Sequence, residues 1–246
     1  MTRWAFLSDV HAALPALWAV LADARRRGAE RVVVAGDVVG GGPHPVEVIR
    51  LLREGGIAAV RGNLDRKVIA AGRDRKVLCK MLKARKRTHL AWTALQLGDL
   101  EWEWLAALPE SLELDLCGVA VLVVHGSPLG DTDCVLPSIT VPALRYKLAD
   151  RRPGMLVCGH SHLPFTRVVD RVRLINPGSV ARPIDGDPRG TYALVEARED
   201  GTVRARILRV SFDQTAIQRD MVERRVPTDG YCRRSQEQGF GRGTHE

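Results

Sequence analysis

The sequence predicts an α/β protein whose strands form a largely parallel sheet, and three observations carry this prediction. Short apolar segments alternate with segments of helical periodicity through the first 60 residues. Single helices between successive strands imply right-handed crossovers, which place those strands parallel to one another. The length of 246 residues, with 45% hydrophobic and 27% charged residues, suits one globular domain with a sizeable core.

The first third of the chain should contain three strands and two helices. Each predicted strand is a short apolar or β-branched segment, and the first helix carries apolar residues at helical spacing. Glycines follow both helices, as expected where helices end. The strands are predicted at residues 4–8, 31–35 and 57–60, and the helices at residues 14–27 and 45–54.

The remaining two thirds should add a helical segment and further strands. Residues 66–107 are helical in composition and are predicted to form a helical insert near the site. A further helix is expected at residues 141–149, and strands at residues 111–115, 119–124, 155–158, 165–169, 172–175, 192–196 and 203–210. We expect one domain over residues 1–227, followed by a flexible tail over residues 228–246 that is rich in Gly, Arg, Gln and Ser.

Side chains able to bind a metal follow five of the predicted strands. The carboxyl ends of parallel strands meet at one edge of a sheet, where ligands collect. A single His or Asp at a strand end is usually structural, but five such fragments in order, four of them beside a glycine, predict a metal site. The candidate ligands are Asp9, His11, Asp37, Asn63, His125, His160 and His162.

The types of ligand narrow the choice of metal. Imidazole and carboxylate groups without thiolates suit Mn, Fe or Zn rather than Ca. Seven donors exceed the needs of one tetrahedral ion, whereas two ions that share a carboxylate would use them all. The five cysteines are odd in number and form no CxxC pair, which argues against a disulfide framework and against a cysteine-based zinc site.

Five blocks of sequence resemble the calcineurin-like metallophosphoesterases, and their small bacterial phosphodiesterase branch above all. The blocks are Asp9-Val10-His11, Gly36-Asp37-Val38-Val39-Gly40, Gly62-Asn63-Leu64-Asp65, Val124-His125-Gly126-Ser127 and Gly159-His160-Ser161-His162. Further segments typical of that branch are Gly40-Gly41-Gly42-Pro43-His44-Pro45, Asn176-Pro177-Gly178-Ser179-Val180 and Gly186-Asp187-Pro188-Arg189. The resemblance runs from about Trp4 to Val210.

The resemblance implies a four-layer αββα sandwich of two mixed β-sheets flanked by helices. It implies two divalent metal ions per chain, with Mn²⁺ as the first choice and Zn²⁺ or Fe as alternatives. Asp37 would bridge the two ions, and a bridging hydroxide would attack phosphorus. Asn63 and His125 would act in catalysis. By the same resemblance, Asp9, His11 and His162 hold the first ion, and Asn63, His125 and His160 hold the second.

Two positions depart from the pattern of the family. Leu64 occupies a position where many relatives carry a histidine that is thought to protonate the leaving group. Ala12 and Ala13 replace a Gly-Asn pair in a loop that should border the metals. Two other histidines, His44 and His89, are alternative proton donors. The residues predicted to contact the substrate are His44, Arg61, Arg66 and His89.

The charge of the chain favours an anionic partner. The formal net charge is +8, and residues 66–87 contain ten basic residues against one acid, Asp74. A solvated helix face would explain the same cluster of basic residues. Together with the family resemblance, the charge makes the leading hypothesis a hydrolase for a small phosphodiester or phosphoanhydride, of the nucleotide or dinucleoside polyphosphate type. A metal-dependent nuclease and a catalytically weak, protein-binding scaffold on the same fold are the alternatives. Binding to a nucleic-acid backbone would weaken steeply with salt, which separates the first two hypotheses.

The sequence favours neither a membrane nor an export route. Its longest apolar runs, such as residues 119–124, are far shorter than the ~20 residues that span a bilayer. The first residues lack the apolar stretch and the cleavage site of a signal peptide. We therefore expect a cytoplasmic protein without a membrane partner.

Overall fold

The computed structural model describes residues 1–83 and 88–228. Residues 84–87 of the predicted helical insert, and the predicted tail beyond Thr228, lie outside the described residues. In chain order the strands and helices are β1 (Thr2–Leu7), α1 (Leu14–Arg26), β2 (Arg31–Val34), α2 (Pro45–Glu54), β3 (Ala58–Ala59), α3 (Asn63–Arg73), α4 (Arg75–Lys83), α5 (Thr88–Gln96), α6 (Asp99–Ala106), β4 (Ser111–Leu116), β5 (Val119–Val124), α7 (Val141–Leu148), β6 (Met155–Val157), β7 (Phe165–Val169), β8 (Val172–Asn176), β9 (Gly190–Ala197), β10 (Val203–Val210) and α8 (Gln214–Glu223).

The strands form two five-stranded sheets. The first has the order β10-β9-β1-β2-β3, and the second has the order β4-β5-β6-β8-β7. Parallel pairs occupy one part of each sheet, β1-β2-β3 in the first and β5-β6-β8 in the second. Antiparallel pairs complete both sheets, so the sheet expected to be largely parallel is mixed. The predicted sandwich of two mixed sheets is confirmed.

The alternation of side chains along β1 explains the layers. Trp4 and Phe6 belong to an apolar cluster that also contains residues of β5, β6 and β8, so this cluster lies between the sheets. Ala5 and Leu7 point to the other face, where they join residues of α1 and α2. A third cluster places α7 on the outer face of the second sheet. Apolar burial on both faces of each sheet therefore fixes the order of the layers.

Local signals in the sequence account for several helix ends. A proline lies in the first turn of α1, α2 and α7. The first N–H groups of a helix have no acceptor within the helix, so a proline there costs no hydrogen bond. Asp213 caps α8, because its carboxylate accepts a hydrogen bond from the Ala216 N–H at 2.8 Å. In its described residues the helical insert consists of four helices, α3 to α6, and α3 begins at Asn63, three residues before the predicted start. The sequence did not predict α8.

The helices of the described residues include none that is both long enough and apolar enough to cross a membrane. The domain boundary at residue 227 stays a prediction.

Candidate metal centre

The backbone turns sharply after the strands that carry the predicted ligands. Five of these ligands have positive φ angles: Asp9 (57°), His11 (50°), Asp37 (50°), His160 (64°) and His162 (57°). Residues with a Cβ rarely adopt this left-handed conformation, and it persists only where the surrounding structure enforces it. Each turn directs its side chain toward the edge that the strand ends share. Strain of this kind at several neighbouring positions is typical of a functional site.

Backbone hydrogen bonds extend the pairing of β1 and β2 beyond their ends. The Asp9 N–H donates to the Gly36 carbonyl at 3.0 Å, and the His11 N–H donates to the Asp37 carbonyl at 2.9 Å. Glycine at position 36 is required, because a Cβ there would lie 2.7 Å from Nδ1 of His125. These bonds hold the loops after two strands in register, so their side chains converge.

Asp9, His11 and His162 form the first of two groups of side chains, within the described residues, that can hold a metal ion. Nε2 of His11 lies 3.2 Å from Nε2 of His162, and Oδ1 of Asp9 lies 3.1 Å from Nε2 of His162 and 3.7 Å from Nε2 of His11. The ring Nδ1 atoms face carbonyl oxygens instead, those of Gly40 at 3.1 Å and Arg182 at 2.7 Å. Carbonyl oxygens only accept hydrogen bonds, so we place the ring protons on Nδ1.

The protonation of the first group differs between its two imidazoles. Burial, together with the charges of Arg182 and His162, holds the pKa of His11 well below its usual range, so this imidazole is neutral and its Nε2 presents a lone pair. Burial lowers the pKa of His162, but the charge of Asp9 and a hydrogen bond to it raise that pKa overall. A divalent cation that binds here would displace the proton between His162 and Asp9. The three converging, buried side chains therefore fit a divalent cation.

Asp9, Asp37 and His125 form the second group. Nδ1 of His125 lies 2.8 Å from the Ala35 carbonyl, and Nε2 lies 3.5 Å from Oδ1 of Asp37. Asp9 therefore belongs to both groups. The role of Asp37 as the residue that bridges two ions stays a prediction.

The side-chain amide of Asn63 lies next to the second group. The terminal atom that faces the group is 3.0 Å from Nε2 of His125, 3.2 Å from Nδ1 of His160 and 3.2 Å from Oδ2 of Asp37. All three neighbours can accept a hydrogen bond, so the amide nitrogen suits this position when no cation is bound. With a cation present, the amide oxygen would suit it instead. Asn63 and His160 thus add two potential metal ligands to the second group.

The two carboxyl groups differ in their affinity for protons. Burial, with the charges of Asp65 and Asp9, raises the pKa of Asp37 to about 7. Burial alone would also raise the pKa of Asp9, but the charge of His162 and the hydrogen bond that it donates, together with the charge of His125, outweigh burial and hold that pKa below the usual range. Asp9 is therefore ionised in the folded protein, whereas Asp37 must lose a proton near neutral pH before it can bind a cation.

Asp65 fastens the first turn of α3 to the loop after β2. Its buried carboxylate accepts hydrogen bonds from the N–H groups of Val38 at 3.2 Å, Val39 at 2.9 Å and Gly62 at 2.8 Å. The first two bonds position the chain just after Asp37, and the third positions the chain just before Asn63. The sequence analysis did not single out Asp65 for this role, although the residue lies in one of the five blocks.

Arg182 is a second residue that the sequence analysis missed. Its side chain is only 4% exposed, and its guanidinium donates to the Gly41 carbonyl at 2.5 Å. The backbone carbonyl of Arg182 accepts the hydrogen bond of His162 Nδ1. Arg182 therefore connects the glycine-rich loop after β2 to a ligand of the first group. No pattern in the sequence marks a lone arginine between Ala181 and Pro183, so only the structure reveals this contact.

Of the four residues predicted to contact the substrate, two are buried outside the two groups and two line a cavity. His44 is buried with its Nε2 2.9 Å from Oδ2 of Asp220 in α8, and His89 is 1% exposed within α5. Neither is part of the two groups, so their roles as proton donors stay predictions. Leu64 packs in the apolar cluster with α1 and α2. Arg61 and Arg66, by contrast, line a cavity that reaches His125.

Comparison with known proteins identifies relatives along most of the chain. A sequence model of the calcineurin-like phosphoesterase superfamily domain matches residues 3–200. An uncharacterized protein of Methanocaldococcus jannaschii, MJ0912, is 27% identical over 240 residues, which cover 91% of this chain and 93% of that protein. Phosphodiesterase YfcE of Escherichia coli is 30% identical over 206 residues, which cover 80% of this chain and 88% of the enzyme.

Solved structures resemble the fold along almost its full length. The crystal structure of a metallophosphoesterase from Sphaerobacter thermophilus aligns with a TM-score of 0.75 at 27% sequence identity, and the alignment covers 97% of this chain and 99% of that one. The matched region includes both sheets and the strand ends that carry the two groups of side chains.

We predict that cation binding stabilises the protein more at high pH. The pKa of Asp37 is raised to about 7, above the unperturbed value of 3.8, so between these values the folded state holds a proton that the unfolded state has lost. The cation-free protein should therefore lose stability as the pH rises through this window. A cation must displace that proton, so the increase in Tm caused by Mn²⁺ should be larger at about pH 8 than at about pH 6.

The measurement is thermal unfolding with and without Mn²⁺ at both pH values. Asp37→Asn serves as the control, because it removes the titrating carboxyl group and should reduce the difference. An Mn²⁺-induced increase in Tm that is equal at the two pH values in the wild type would contradict the prediction.

We also predict that Arg182 stabilises the fold through its contact with Gly41. Arg182→Met leaves the Gly41 carbonyl without this donor and should lower the free energy of unfolding by about 1–3 kcal/mol in urea. Arg145→Met is the matched control, because the Arg145 side chain is 68% exposed and pairs with Asp170 at the surface. Its effect should stay within about 0.5 kcal/mol. Equal losses for the two variants would refute the structural role of Arg182.

Proposed function

Because the chain belongs to the calcineurin-like phosphoesterase superfamily, and is thus a phosphoester hydrolase, we propose that it uses two metal ions to cleave a phosphodiester or phosphoanhydride. The observation that carries this proposal is the presence of two groups of buried nitrogen and oxygen donors that share Asp9. One ion would leave the donors of the other group without a partner. Two neighbouring cations would satisfy both groups and would supply the charge that stabilises the attacking and leaving oxygens of an in-line displacement.

The seven predicted ligands divide between the two ions. We assign Asp9, His11 and His162 to the first ion and Asn63, His125 and His160 to the second, with Asp37 shared by both. Each ion then has at least one ionised carboxylate close by, which offsets the repulsion between two cations. Imidazole and carboxylate donors suit Mn²⁺ first, with Zn²⁺ or Fe as alternatives.

When bound, the two ions would supply Lewis acidity to the phosphoryl group and lower the pKa of a water molecule held between them. The side chains have the complementary task of holding the substrate in line. Asn63 and His125 line the second group, and we propose that they also orient the phosphoryl oxygens. Lys67 lies 2.9 Å from the outer atom of the Asn63 amide, so a positive charge adjoins this position.

Two arginines make the approach to the site suitable for an anion. Arg61 and Arg66 line the cavity beside His125, and we propose that they bind the anionic part of the substrate. The phosphodiesterase activity named for the E. coli relative supports a phosphodiester as one substrate class. We therefore favour a small phosphate ester or anhydride over a nucleic acid, since no described contact singles out a longer chain.

The dependence of the hydrolysis rate on the leaving group provides a test of this proposal. An alkoxide needs a proton to depart, but Leu64 offers none and its side chain is only 4% exposed. General-acid assistance is typically worth about 10²–10⁴-fold in rate. With Mn²⁺ bound, the protein should therefore cleave aryl phosphodiesters and phosphoanhydrides readily and alkyl phosphomonoesters poorly.

The measurement is kcat/KM across esters whose leaving groups span a range of pKa values, with Asp37→Asn as the inactive control. A steep decline with rising leaving-group pKa is expected. A flat dependence would show that another group supplies the proton, and the account of Leu64 would then be wrong. Absence of hydrolysis in every substrate class, with metal shown to be bound, would contradict the proposed function itself.

A further inference from the structure

A cavity of about 240 Å³ lies directly beside the candidate metal centre. His125 forms part of its wall, so the cavity and the second group of ligands share a side chain. Three arginines line it, Arg61, Arg66 and Arg151. They come from separate segments of the chain, namely the loop after β3, the first turns of α3 and the segment before β6. The fold thus brings three guanidinium groups together beside a centre that should bind phosphate.

Two acidic residues also line the cavity and pair with two of these arginines. Arg66 makes two parallel contacts with Asp131, from Nε to Oδ2 at 2.5 Å and from Nη2 to Oδ1 at 3.0 Å. Arg61 makes one contact with Glu110, from Nη2 to Oε1 at 2.5 Å. The hydrogen bond from Arg66 lowers the pKa of Asp131 despite its partial burial. Three cations and two anions leave the lining with one positive charge in excess.

The contact between Arg61 and Glu110 is the easier of the two to exchange. The Glu110 side chain is 83% exposed, so water replaces its partner at little cost. A phosphate can take the place of this carboxylate, because each group presents two oxygen atoms that can accept parallel hydrogen bonds from a guanidinium group. The Glu110 carboxylate is therefore a counter-ion that a phosphate can displace, whereas the two contacts with Asp131 hold the Arg66 guanidinium group in one orientation.

The rest of the lining indicates which part of a substrate enters. Ser127, Pro128, Leu129 and Gly130 also line the cavity, and the aromatic ring in its lining is the imidazole of His125, which belongs to the candidate metal centre. The lining therefore offers a nucleobase no Phe, Tyr or Trp side chain on which to stack. The chemistry of the cavity thus suits an anionic group rather than a base.

We infer that this cavity binds a second phosphoryl group of the substrate, directly bonded to the one that is cleaved. The inference rests on the proposed function and makes it more specific. The substrate class is then a phosphoanhydride, such as a nucleoside diphosphate or one of its esters, in preference to a simple phosphodiester. The metal centre holds the phosphoryl group that reacts, and Arg61 and Arg66 hold its neighbour.

The test uses two substrates that differ by one phosphate. They are the 4-nitrophenyl esters of thymidine 5′-monophosphate and of thymidine 5′-diphosphate. The reaction of each ester with the Mn²⁺-loaded, full-length protein is monitored as the total consumption of that ester. The wild type should show a KM about tenfold lower for the diphosphate ester, as expected for one additional charge-assisted contact.

Variants of the lining should change this preference. Arg61→Gln and Arg66→Gln should each raise the KM of the diphosphate ester several-fold more than the KM of the monophosphate ester. Glu110→Gln should lower the KM of the diphosphate ester, because it removes the competing carboxylate. The matched control is Arg145→Gln, since Arg145 contacts Asp170 in the same two-point manner as Arg66 contacts Asp131 but lies outside this cavity. It should leave both KM values unchanged.

The outcomes separate this inference from the function on which it rests. Hydrolysis of both esters with equal KM values, or equal effects of Arg66→Gln on the two esters, would overturn the phosphate-binding cavity while leaving the hydrolase intact. No hydrolysis of either ester by the metal-loaded protein would overturn both. A preference for the diphosphate ester that disappears in Arg61→Gln and Arg66→Gln, but not in Arg145→Gln, would support the inference.

Discussion

The convergence of buried nitrogen and oxygen atoms at one edge of the two sheets is the constraint on which the rest of the structure depends. Oδ1 of Asp9 lies within 3.7 Å of Nε2 of both His11 and His162. Burial removes water from these atoms, so the charge of the carboxylate must be balanced within the group. Without a cation, a proton on His162 balances it. A cation that replaces this proton would find a set of preformed ligands.

The fold sustains this arrangement through contacts outside the ligands. Left-handed turns at Asp9 and Asp37 are unfavourable by themselves, and backbone hydrogen bonds between the loops after β1 and β2 hold them in place. Asp65 joins the loop after β2 to α3, and Arg182 joins the glycine-rich loop to His162. Such supports keep the donors close in the absence of the ion, so little reorganisation is needed when it binds.

Local patterns in the sequence predicted much of this structure. The parallel pairs, the two helices of the first third and the positions of the ligands at strand ends all follow from apolar periodicity and from glycines beside polar residues. The helix α8 was missed, because Asp213 is a weak signal without the contact that α8 makes with α1. The roles of Asp65 and Arg182 were missed for a related reason. Each depends on partners distant in the sequence, and no local pattern reports such contacts.

The number and position of bound ions test the central claim most directly. Crystals of the protein soaked in Mn²⁺ should give two anomalous difference peaks at the manganese edge. One should lie among Asp9, His11 and His162, and the other among Asp37, Asn63, His125 and His160. A single peak at full occupancy, or peaks outside these side chains, would contradict the account.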